Sequence, residues 1–183
     1  MILSAWAATP KAETDIQTNS IVKANVLVIH SYSLELPWCQ QQYTGIIEGF
    51  QESGHDVKVY HEFLDSKRYP ELHHRQEFLD YIRLKYQDTP LQLLMVADDP
   101  GLNLVLETHD EYFPDLPVVF MGINHVQEEL FDIPWLTGVF ETHTYAETFL
   151  EAKRQTGADT MILISDYSET GIASLQRAEA SIS

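Results

Sequence analysis

Between residues 25 and 125 the chain alternates short β-branched or apolar runs with longer amphipathic ones, and this alternation limits its fold more than any other feature. Short apolar runs bounded by turn residues read as strands buried on both faces, and the amphipathic stretches between them read as crossover helices. Together they predict βαβ units and a parallel sheet. Asn25 to His30 is the first expected strand; Cys39, Tyr43, Ile46, Ile47 and Phe50 then fall at helical spacing before Ser53-Gly54, a common helix ending. Val57 to Phe63 gives a second strand, and Pro70 opens a helix with Leu72, Leu79, Ile82 and Tyr86 on one face. Leu91 to Ala97 gives a third strand. Pro100 starts a helix that turns Leu102, Val105 and Leu106 to the core, and Leu116 to Met121 forms a fourth strand punctuated by Gly122. The expected result is one three-layer α/β/α, Rossmann-like lobe spanning residues 25–125.

Residues 126–136 break this rhythm, since Pro134 and the mixed Phe131-Asp132-Ile133 suggest a crossing segment. Beyond it Thr137 to Glu141 reads as a short strand, Tyr145 to Gln155 as a helix, Thr160 to Asp166 as another strand and Ser168 onwards as another helix. That set is too short to close a sheet of its own. Residues 126–183 are therefore expected to be a crossover and the start of an incomplete second lobe.

Charge narrows the classes of partner. Eleven Lys and Arg stand against 28 Asp and Glu, a formal net charge of -17 that would repel nucleic acid or an anionic membrane surface. One cysteine, Cys39, excludes an internal disulfide and any Cys-rich metal site. Met1 to Ala8 resembles the end of an apolar signal segment, with Ala5-Trp6-Ala7 in the small-x-small pattern of a cleavage site, and residues 1–24 read as a signal remnant and polar lead-in. No apolar run is long enough to span a bilayer, so membrane attachment is expected through segments outside this chain.

In an open parallel sheet, ligands bind beyond the carboxyl ends of the strands. By that rule the first strand delivers His30, Ser31, Tyr32 and Trp38, the second Asp65 and Lys67, the third Asp98 and Asp99, the fourth Asn124, and the later ones Glu141 and Asp166. Hydroxyls, an amide, carboxylates and aromatics on one edge suit a small polar organic ligand. Each residue also has a structural reading. Trp38 after Pro37 is placed either to anchor the first helix or to stack on a ligand; Asp98 or Asp99 can N-cap the helix at Pro100, leaving the other carboxylate for ligand. Asn124 can satisfy turn backbone, and Asp65 can pair with Lys67 or Arg68. Catalysis finds little support: the eight histidines are scattered, and no nucleophile elbow, Walker loop or dinucleotide fingerprint is present. An acid–base pair drawn from Asp98, Asp99 or Glu141 stays open as a lesser reading, and no metal or cofactor is expected.

Five ordered segments carry a family likeness: Val26-Leu-Val-Ile-His-Ser-Tyr32 with Pro37-Trp38, Glu62-Phe-Leu-Asp-Ser-Lys-Arg68, the strand ending in Asp98-Asp99, Pro117-Val-Val-Phe-Met-Gly-Ile-Asn124 and Thr137-Gly-Val-Phe-Glu141. This pattern resembles the periplasmic-binding-protein-like domains related to ABC transporter substrate-binding components, which also form extracytoplasmic sensor regions of bacterial histidine kinases and diguanylate cyclases. The resemblance implies a type I periplasmic-binding fold, with ligand held between two lobes near His30, Tyr32, Trp38, Asp65, Asp98, Asp99, Asn124 and Glu141. It also implies a periplasmic, non-enzymatic sensor domain, with a transporter component as the alternative. Pairing with a second copy is left open.

Overall fold

A computed structural model describes residues 23–124, 128–141 and 144–182 of the protein. The signal-like segment at Ala5-Trp6-Ala7 lies outside them. Five strands form one all-parallel sheet in the order β2-β1-β3-β4-β5: β1 Lys23–His30, β2 Asp56–Phe63, β3 Leu93–Ala97, β4 Val118–Ile123 and β5 Leu136–Phe140. Helices α1 Pro37–Glu52, α2 Leu72–Tyr86 and α3 Asp99–Tyr112 supply the first three crossovers, and a 3-10 turn at Glu128–Asp132 leads into β5.

The two-residue period of β1 divides the core. Leu27 and Ile29 pack on one face with Leu79 and Ile82 of α2 and Leu104 and Val105 of α3, while Val26 and Val28 pack on the other with Ile46 of α1. Burial of each such side chain contributes roughly 1.5–3 kcal/mol, which is why the α2–α3 face, with the larger cluster, holds most of the core.

Two expectations need correction. The sheet does not end near residue 125: β5 pairs in parallel with β4, from Val118 opposite Leu136 to Ile123 opposite Phe140, and extends the same sheet. The strand expected at Thr160 to Asp166 does not form. A strand needs a neighbour to satisfy its backbone, and among the described residues this run has none. Its side chains stand in solvent instead, with Ile162 82% and Ile164 89% exposed. Helices α4 Tyr145–Thr156 and α5 Glu169–Ile182 flank it; α4 buries none of its residues, and α5 buries Gly171 and Ala178. No helix among the described residues is long and apolar enough to cross a membrane.

Candidate functional site

The chain leaves β1 toward β2 on one side of the sheet and leaves β3 toward β4 on the other. The two connections therefore diverge at the carboxyl ends of β1 and β3, opening a crevice at the switch point of the strand order. Asp98 stands there. Its backbone has φ 68 and ψ 163, a region that favours glycine and costs other residues about 1–3 kcal/mol. The backbone is pinned by its N–H, which donates to Met121 O at 2.9 Å, and by its carbonyl, which accepts from Leu102 N at 3.2 Å.

That conformation takes the Asp98 side chain away from capping α3 and toward α1. Trp38 Nε1 donates to Asp98 Oδ1 at 2.8 Å. Gln42 lies one turn further along α1; with its amide nitrogen facing the carboxylate, it donates to Asp98 Oδ2 at 3.2 Å, and its oxygen lies 3.1 Å from Trp38 Nε1. Gly122 makes room for the cluster: at φ +66 it also lacks a Cβ that would meet the Gln42 side-chain amide at 2.8 Å and Asp98 Oδ1 at 3.1 Å. The Asp98 side chain is almost wholly buried. Burial pushes its carboxyl up to about 7, against the opposing hydrogen bonds from Trp38 and Gln42, and the nearby Asp99 and Glu141 push the same way.

Six of the residues expected at this edge, Tyr32, Trp38, Lys67, Asp98, Asn124 and Glu141, line one cavity of about 300 Å³, together with Leu36, Pro37 and Ser174. Asp99 sits behind it, where its Oδ2 accepts from Asn124 Nδ2 at 3.1 Å and fixes the end of β4. Lys67 reaches across to α5's leading segment: its ammonium lies 3.1 Å from Asp166 Oδ2 and 5.1 Å over the Tyr32 ring. A neighbouring hollow of about 420 Å³ shares Tyr32 and Lys67 and adds Ser66, Arg75 and Asp166.

Three predicted residues are turned elsewhere. His30 shares the parity of Val26 and Val28, so its ring faces α1, stacked 4.8 Å from Phe63 with Nε2 3.0 Å from His61 Nδ1. Burial, aided by His61, lowers its pKa to about 4, so the ring is a neutral core group. Ser31 faces the opposite way. Its Oγ donates to Ala97 O at 2.6 Å and accepts from Gly101 N at 2.7 Å, tying the start of α3 to β1. Asp65, in the left-handed region at φ 51, pairs with Arg68 at 3.3 Å and does not line the cavity.

Sequence reasoning missed Gln42 and Ser174. Gln42 had a signal, because it follows Trp38 at the four-residue spacing that puts two side chains on one helix face. Ser174 had none, since nothing local to α5 reveals where that helix docks. Among the described residues no three His, Cys, Asp or Glu side chains converge as metal ligands would. Comparison with known protein families, curated proteins and solved structures finds no significant match to this chain.

Proposed function

We propose that the chain is an extracytoplasmic small-molecule-binding domain, the sensory part of a bacterial membrane signalling protein, with the periplasmic-binding likeness extending to a type I fold. The observation that carries the binding role is the cavity at the β1–β3 switch point, where Tyr32, Trp38, Asp98, Asn124 and Glu141 meet. A buried carboxylate on strained backbone is costly to the fold, and such features concentrate at functional sites. Ser174 of α5 lines the same cavity, and the Lys67–Asp166 pair joins the β2–α2 loop to the segment before α5. Ligand that touches both sides would favour their closed arrangement by its differential affinity, a population shift that a following segment transmits.

The reading is tested by thermal unfolding against a broad metabolite library. A ligand at about 100 times its Kd adds about 2.7 kcal/mol to stability, enough to raise Tm by several degrees. Trp38→Ala should abolish that gain while the variant stays folded, because Trp38 is 41% exposed and contributes little to the core. Absence of any shift across the library, or an unchanged response in the variant, rejects the site.

A further inference from the structure

Resting on that binding role, we propose that the cavity beside Asp98 takes a small organic cation, an ammonium group carried on a compact apolar body. Two of the groups lining the cavity, Asp98 and Glu141, are acidic, and the one base, Lys67, is already engaged by Asp166. The Asp98 oxygens accept from neutral donors, Trp38 and Gln42, and no cationic side chain reaches them among the described residues. A buried carboxylate so placed gains most from a positive charge brought by a ligand. Aromatic surface completes the recognition. Trp38 and Tyr32 both line the wall; the Lys67 ammonium already lies 5.1 Å over the Tyr32 ring, so the half-exposed Trp38 indole is the face that offers a ligand a cation–π contact. The formal charge of -17 draws cations toward the surface as a whole.

The groups facing Asp98 fix the sign of its response to pH. From α1 come the neutral Trp38 and Gln42 and the Cys39 thiol, which burial, with Asp98 adding to it, pushes up to about 11; from α3 comes Asp99, and after β5 Glu141. A cation binds the ionised carboxylate and so competes with the proton. With the carboxyl titrating near 7, affinity should fall about 30-fold between about pH 8.5 and about pH 5.5.

The test is calorimetric titration of the whole chain with choline, with its neutral isostere 3,3-dimethylbutan-1-ol, and with 3,3-dimethylbutanoate. Choline should bind and both isosteres fail, with the 30-fold loss on acidification and further loss in Asp98→Asn. The pH arm uses the unaltered chain and stands even if that variant does not fold. Equal binding of the neutral isostere, binding of the anion, tighter binding at the lower pH, or no binding of choline each overturns the proposal. If the library yields a neutral or anionic ligand that Trp38→Ala loses, the ligand class falls while the binding site stands; if it yields nothing, both fall.

Discussion

Asp98→Asn separates two titrations that oppose one another in the native protein. Asp98 titrates near 7 in the fold against an ordinary 3.8, so its contribution to stability is fully present below 3.8 and is lost as pH rises through 7, a total of about 4 kcal/mol. His30 is the reverse case. Its pKa drops from 6.5 to about 4, so its contribution is full above 6.5 and is lost as pH falls to 4, a total of about 3 kcal/mol. His61, lowered mainly by burial, adds in the same direction as His30. Between pH 4 and 6.5 the Asp98 and His30 slopes nearly cancel, which leaves the His61 contribution as a shallow rise of stability with pH.

Asparagine keeps the shape and the same backbone strain as aspartate, can accept from Trp38 and does not titrate. Every other titration is shared by both proteins, so their difference isolates Asp98. From pH 4 to 7 the native protein should lose about 3 kcal/mol relative to Asp98→Asn. Urea unfolding followed by far-UV circular dichroism at half-unit pH steps measures this directly. Two profiles that run parallel within about 1 kcal/mol would refute the buried, proton-hungry carboxylate on which the site depends.

Asp98→Gly and Asp98→Ala both remove the carboxylate, but only glycine accepts φ 68 and ψ 163 without strain. After glycine's own entropy cost of roughly 0.5–1 kcal/mol, Asp98→Gly should still be the more stable by about 1 kcal/mol in urea unfolding, the reverse of the usual order. Ser31→Ala leaves the buried Gly101 N–H without its acceptor, which should cost about 1–3 kcal/mol in the same assay while ligand contacts in the cavity remain.

The β-α alternation was legible because parallel strands buried on both faces leave continuous apolar runs, as β1 and β3 do. The same logic failed at Met161 to Ile164, which is as apolar as a strand yet unpaired: pairing is decided by a neighbour, and local sequence does not contain one. His30 was misassigned although its place was readable from parity with Val26 and Val28. For Asp98 and Asp99 the sequence offered two carboxylates for two roles. The capping role is not taken up as expected: Asp98 holds the N-cap position without a side-chain cap hydrogen bond and turns to the cavity, while Asp99 accepts from Asn124.

The strand order also has a kinetic side. Val26 pairs with Val59 on one edge of β1 and with Leu93 on the other, so docking β3 closes a loop about twice as long as docking β2 does, at an extra entropy cost of about 0.6 kcal/mol. The local β1-α1-β2 unit is thus favoured to assemble early, carrying Trp38 and Gln42 but no Asp98. On the proposed binding role, competence needs Asn124 after β4 and Glu141 after β5 as well as the β1–β3 seam, so the rate at which a refolding chain regains ligand reports completion of the sheet beyond that early unit.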